Sequence, residues 1–245
     1  MVTEVLTRYR RCMDGDVDVA AAAGLIGDRT RAAFLLALSE AEALPASELA
    51  ARAEVSAPTA SAHLAKLVDG GLVAADPRGR HRYFRLADPA VADALEALSV
   101  IAPTRPVRSL READRAAGIR AARTCYDHLA GRLGVGLTEA LERRALIARR
   151  NGEFAVTARG ERELDRLGLD LEQLRRERRS FARACLDWSE RRYHLAGALG
   201  AAIACRCFEF GWIERRGSGR AVAVTPAGQV ELKRRFGLVP NDSKR

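Results

Sequence analysis

Two short segments with helical apolar spacing, separated by three residues, constrain this chain more than any other feature. Pro45 opens the first, Ala46 to Ala53, and proline is tolerated in a first helical turn; Leu49 and Ala50 point inward. After Glu54-Val55-Ser56 a longer helix runs to Gly70-Gly71. At 100° per residue, Ala57, Ala60, Leu64, Leu67 and Val68 share one face. Pro58, Thr59, Ala62 and Lys66 lie opposite, flanked by Ser61 and His63. The second helix therefore has one face to bury and one left for a partner.

The flanking residues extend the pattern. An Ala-rich helix spans Val17 to Ile26, and Asp28 caps a second one that buries Ala32, Ala33, Leu35, Leu36 and Leu38. Leu72 to Leu86 reads as a hairpin with Asp76-Pro77-Arg78-Gly79 as its turn, followed by a helix from Pro89 to Ile101. This is the order of a winged helix-turn-helix domain. The segment Ser47 to Leu67, with Gly70-Gly71-Leu72-Val73 and the Tyr83-Phe84-Arg85-Leu86 wing, resembles the ArsR/SmtB family of bacterial transcriptional regulators. The resemblance covers residues 17–101. It implies binding to double-stranded DNA as a homodimer joined by the helices around 17–27 and 89–101. It also implies a groove-facing set of Ser56, Ala57, Pro58, Thr59, Ser61, Ala62 and His63, with Lys66 on phosphate. Ala62 departs from the family, where an arginine is common. Arg78, Arg80 and Arg82, at period two, are expected on one side of the wing against the backbone or minor groove. The family's usual metal sites are missing: Ser47 to Arg52 has no cysteine pair, and the helix after the wing offers Asp88, Asp93 and Glu96 but no histidine.

The net charge of +9 makes an anionic partner plausible, but the charge is unevenly spread. Residues 1–103 hold eleven Lys/Arg against fourteen Asp/Glu, a net of −3; residues 104–245 hold thirty against eighteen, a net of +12. Basicity therefore does not mark the first domain. Nearly every cation is arginine, which suits phosphate and base contacts, but the arginine and alanine richness is read first as the mark of a GC-rich genome. The longest apolar run, Leu195 to Cys205, is too short to span a bilayer, and residues 1–16 form a charged lead-in without a signal-peptide core. The five cysteines, odd in number, read as cytosolic thiols. Ala102-Pro103-Thr104-Arg105-Pro106 begins a linker over 102–108.

Residues 109–245 contain an internal repeat, about 120–170 and 180–238. Cys125-Tyr-Asp-His-Leu-Ala-Gly131 and the hairpin-like Leu146 to Thr157 are echoed by Cys185-Leu-Asp187, His194-Leu-Ala-Gly197 and Trp212 to Thr225. Trp188 to Tyr193 is an insertion. Each copy is read as helix, connection, two-stranded ribbon and helix, like a degenerate winged helix. The expected class is mainly α with small β-hairpins (α+β): an N-terminal winged helix-turn-helix over 17–101 and a duplicated winged-helix-like C-terminal domain.

The repeat pairs Cys125, Asp127 and His128 with Cys185, Asp187 and His194. With Cys125 and His128 three apart, a shared helical face would let them reach a common ion. These six are candidates for a metal or small-molecule effector site, one not required for DNA binding. The plainer reading, weighted above it, makes the cysteines buried small hydrophobes and the histidines caps or core hydrogen-bonders. Cys205 and Cys207 would point about 200° apart on a helix, and Phe208, Phe210 and Trp212 read as core. No nucleophile elbow, zincin motif, phosphate loop or dinucleotide fingerprint is present. The expected function is a cytoplasmic, homodimeric, non-enzymatic transcriptional regulator, a repressor controlled through its C-terminal domain. The alternative is a DNA-architectural or protein-interaction module of tandem winged helices without an effector.

Overall fold

The computed structural model describes residues 17–41, 43–78, 81–103, 106–217 and 219–239. The expected lead-in, 1–16, lies outside them. The chain divides into two compact units at Ala92/Asp93, within a helix and not at the prolines that follow it.

The first unit opens with α1 (Val19–Ile26) and α2 (Arg29–Leu38), capped by the carboxylates of Asp18 and Asp28, which accept the Ala21 and Arg31 N–H groups. Arg31 donates to the carbonyls of Leu25 and Gly24, at 2.7 and 2.9 Å, and so ties down the C-terminal end of α1. Then come β1 (Leu44–Pro45), α3 (Ala46–Arg52), α4 (Ala57–Asp69), β2 (Val73–Arg78), β3 (His81–Leu86) and the start of α5 (Pro89–Ile101). The sheet runs β1-β3-β2, antiparallel, with Leu44 opposite Phe84 and Val73 opposite Leu86. Phe34, Leu35 and Leu38 of α2, Leu49 of α3, Leu64 and Leu67 of α4, and Phe84 and Leu86 of the wing bury against one another. Ala57, expected on the buried face of α4, is exposed because it opens the first turn, ahead of the core. β2 also runs through Arg78, which pairs with His81, so Asp76 and Pro77 are strand residues and not a turn. Pro77 fits there because β2 is an edge strand, where a missing N–H costs no ladder bond.

The second unit contains α6 (Leu110–Ala121) and then two matching halves. The first half is β4 (Arg123–Cys125), β5 (His128–Ala130), α7 (Gly131–Arg143), β6 (Ile147–Arg150), β7 (Glu153–Val156) and α8 (Ala158–Asp165). A short α9 (Leu171–Arg175) leads into the second half. That half is β8 (Ala184–Leu186), β9 (Tyr193–Leu195), α10 (Gly197–Glu209), β10 (Ile213–Arg215), β11 (Val222–Val224) and α11 (Pro226–Phe236). Thr157 caps α8 through Gly160 N–H, and Thr225 caps α11 through Gly228 N–H. Each half thus opens on a two-stranded hairpin where a helix is expected from sequence. The helical reading fails because Cys125 and His128 are cross-strand partners over a two-residue turn, not neighbours on a helix face.

The halves are interlocked. Arg123 bridges to Ala221 across halves, and Arg183 bridges to Glu153 in the matching place. The Leu195 N–H donates to Thr138 Oγ1 at 2.8 Å. One core runs through both, joining Leu133, Leu141, Ile147 and Leu164 with Leu199, Ile203, Trp212 and Leu232. Gly131 and Gly197 occupy the same hairpin-to-helix corner with φ of 70° and 78°. A Cβ there would come within 2.7 Å of Arg120 O and 2.5 Å of Ser180 O, so only glycine lets the hairpins fold back. Asp93, Glu96 and Val100 of α5 belong to this unit. Asp93 pairs with Arg183, Glu96 pairs with Arg220 at 2.9 Å, and Arg191 donates to Val100 O at 2.7 Å.

Candidate functional site

In the first unit, α3 and α4 meet through a turn in which Glu54 adopts a left-handed φ of 55°. A non-glycine residue there costs about 1–2 kcal/mol, which the packing of Leu49 and Ala50 against α4 offsets. Ser56 caps α4, accepting the Thr59 N–H at 3.3 Å, and its hydroxyl also bonds Thr59 Oγ1 at 2.8 Å. Ala60, Leu64 and Leu67 are buried, whereas Ser56, Ala57, Pro58, Thr59, Ser61, Ala62 and Lys66 are exposed together on the opposite side. His63 is half-buried and turns toward α2, with Nδ1 3.6 Å from Asp28 Oδ1 and 3.5 Å from Arg31 Nη1.

The wing departs from the period-two expectation. Arg78 lies on β2 opposite His81, while Arg82 lies on β3 opposite Pro77, so the two arginines leave opposite faces of the ribbon. Arg78 accordingly lies over the Tyr83 ring at 5.3 Å, and Arg82 over Phe84 at 5.9 Å. Period-two spacing holds along one strand only, and Arg78 and Arg82 lie on two. Arg80 is outside the described residues. Arg85 is held by Asp76 at 2.9 Å.

The second unit brings the six repeated residues together. Cys125 opposes His128 in the β4–β5 hairpin, and Cys185 opposes His194 in β8–β9. Directly opposed residues carry Cβ atoms about 4.5–5.5 Å apart, so each hairpin presents one thiol and one imidazole side by side. The two hairpins face each other: Cys125 Sγ lies 4.0 Å from Cys185 Sγ, and His128 Nε2 lies 3.1 Å from His194 Nε2. All four side chains are buried, and one ligand atom from each lies within 4.8 Å of the others.

The aspartates stand behind the histidines. Asp127 Oδ1 is 3.2 Å from His128 Nδ1, and Arg179 pairs with its other oxygen. Asp187 Oδ2 is 3.5 Å from His194 Nδ1 and 2.9 Å from Arg123 Nη2, and it accepts the Gly131 N–H at 2.7 Å. Asp187 Oδ1 accepts N–H groups of Ser189 and Glu190. Arg123 and Asp187 are both fully buried. Burial opposes ionisation of Asp187, but the Arg123 charge and these donors outweigh it and hold the carboxyl well below its ordinary range. The two thiols separate: the Cys185 thiol is lowered by its contact with Cys125 and by both imidazoles, whereas the Cys125 thiol is raised by the same contact and by burial. Burial disfavours protonated His128, yet Asp127 and Cys185 raise its pKa on balance.

Cys205 and Cys207 lie on α10, one exposed and one buried, pointing apart as helical geometry requires. The rings of Phe210 and Trp212 pack 5.1 Å apart. Among the described residues no helix is long and apolar enough to cross a membrane.

A helix-turn-helix domain family matches residues 26–74. YdfF of Bacillus subtilis (strain 168), an uncharacterized HTH-type transcriptional regulator, is 41% identical over 221 residues, covering 90% of this chain and 98% of that protein. The chain belongs to the helix-turn-helix transcriptional regulators. This is a family of regulators and not of enzymes, and the likeness extends past the DNA-reading segment into the repeated unit of this regulator. Solved structures similar to its N-terminal part include a homodimeric winged helix-turn-helix domain from Mycobacterium bovis, a possible ArsR-family regulator. That domain is 29% identical, covers 34% of this chain and 76% of its own, and has a TM-score of 0.32. The cadmium sensor CMTR from Mycobacterium tuberculosis is 31% identical, covers 38% of this chain and 100% of its own, and has a TM-score of 0.30.

Proposed function

We propose that this regulator is a cytoplasmic repressor that reads a pseudo-palindromic operator as a homodimer, with the C-terminal unit governing DNA release. The observation that carries the reading is α4: three of its thirteen residues are buried, and an unbroken polar and small-residue face remains for a major groove. In α7 and α10 eight and seven of thirteen residues are buried, which argues against the tandem module in which each half reads DNA. Dimerisation rests on α1, whose Val19, Ala20, Ala22 and Ala23 are exposed without a polar face and suit a second copy of the same helix.

Light scattering on Val19→Glu/Ala23→Glu will read a monomer where the native chain is a dimer, and operator affinity will fall at least about tenfold as half-sites bind singly. A variant that stays dimeric overturns the role of α1. Footprinting that finds uniform, sequence-independent occupancy overturns the operator reading.

A further inference from the structure

We infer that the C-terminal unit binds one Zn(II) ion between its two opening hairpins, ligated by Cys125 Sγ, Cys185 Sγ, His128 Nε2 and His194 Nε2. The first support is distance. Tetrahedral zinc with bonds of about 2.3 Å to sulfur and 2.0–2.1 Å to nitrogen needs a sulfur–sulfur edge of about 3.8 Å and a nitrogen–nitrogen edge of about 3.3 Å. The observed edges are 4.0 and 3.1 Å.

The second support is the tautomer of the histidines. Each ring turns Nδ1 toward a carboxylate, Asp127 at 3.2 Å and Asp187 at 3.5 Å, and an anion there favours the proton on the near nitrogen. Both Nε2 atoms then carry lone pairs, aimed at each other across 3.1 Å inside the protein. In the metal-free protein one Nε2 takes up a proton and donates to the other; a metal ion between them and the thiols displaces that proton and draws on both lone pairs. His194 Nδ1, wholly buried, lies 3.5 Å from Asp187 Oδ2 and makes no hydrogen bond.

Charge selects the valence. Asp127 and Asp187 are balanced by Arg179 and Arg123. Ion binding displaces the Cys125 proton and leaves two thiolates, which a divalent ion neutralises where a monovalent one would leave a buried negative charge. A closed N2S2 tetrahedron without an open position suits zinc in a binding role and not in catalysis. Because each half supplies one cysteine and one histidine, the ion ties the halves together. Ion binding here is independent of operator reading by α4, so either can fail alone.

The test uses the full chain purified without chelator, with metal content measured by mass spectrometry, followed by reductive chelation and titration with Co(II). One zinc per chain is expected, and one Co(II) giving the intense visible bands and near-ultraviolet thiolate charge transfer of a tetrahedral S2N2 site, displaced by zinc. Cys125→Ser and Cys185→Ser will each weaken the charge-transfer band by the share of one thiolate, the double variant will lose it, and Cys205→Ser will keep it in full. Asp127→Asn, which leaves every ligand in place, will weaken zinc about 10–100-fold. A folded, reduced native chain that takes up neither ion overturns the inference. So does copper(I) retained in place of zinc, a Cys125–Cys185 disulfide that forms in the presence of zinc, or a cobalt spectrum unchanged in both cysteine variants.

Discussion

Asp187→Ala will destabilise the C-terminal unit by about 3–5 kcal/mol, because it strands a buried guanidinium. Arg123 is fully buried between Asp187, at 2.9 Å, and the Trp188 ring, at 4.7 Å. Removing the carboxylate also orphans the N–H groups of Gly131, Ser189 and Glu190, and the first of these belongs to the opposite half from Asp187. Both tryptophans of the chain, Trp188 and Trp212, lie in this unit, so fluorescence-detected urea unfolding reports on it without a signal from the first. Asp187→Asn keeps one acceptor oxygen for the loop donors of Ser189 and Glu190, and loses the charge and the acceptor that faces Arg123 and Gly131; its cost should be smaller than that of alanine. Adding Arg123→Met to that variant should recover part of the loss, since the charge left alone by the first change is then gone. If the two single costs simply add, Arg123 and Asp187 are not a coupled pair, and the half-to-half anchor must lie elsewhere.

That pair illustrates what could be read from the chain and what could not. Helix α4 was legible because its signal is local: apolar residues at helical spacing, a glycine pair at its end and a short break before it. The repeat was legible as well, since Cys-x-Asp and His-Leu-Ala-Gly recur at near-constant offset. The hairpins were not. Strands of three residues carry too little alternation to show, and the Tyr126-Asp127 turn lacks the glycine or asparagine that announces a two-residue loop, with Tyr126 itself taking φ of 57°. Consequently sequence spacing places the six repeated residues on helices, whereas hairpins carry them. A helix would have set Cys125 and His128 beside each other along an axis; the hairpin sets them across a ribbon and leaves Asp127 free to stand behind the ring. The faces of Arg78 and Arg82 escape the sequence for a related reason, because alternation along one strand says nothing once a turn intervenes. Arg123 carried no sequence signal at all, since nothing local distinguishes a buried arginine from the many exposed ones.

Lys66→Ala, Arg78→Ala and Arg82→Ala will each lower the slope of log affinity against log salt by about 0.9, and the triple variant by about three. The expectation follows from where the charge is. Residues 1–103 carry three more acids than bases, so DNA affinity in this part of the chain depends on few cations. Arg52 and Arg85 are already committed to Glu40, Glu48 and Asp76, and Arg31 to backbone carbonyls. Lys66, Arg78 and Arg82 are exposed and make no ion pair among the described residues. Thr59→Ala should behave differently: it removes a hydroxyl on the free face of α4 without removing charge, so the salt slope stays and discrimination at one base pair falls by about 1–3 kcal/mol. Arg150→Ala/Arg216→Ala, on exposed positions of the C-terminal hairpin tips, should leave both quantities unchanged, although that unit holds the greater part of the positive charge. A slope that falls with these arginines and not with Lys66, Arg78 and Arg82 would move the DNA contact to the repeated unit and restore the tandem reading. The charge excess would then be the binding surface itself. On the geometry of α4 it is not: the unit with the fewest cations is the one whose helix is free to enter a groove.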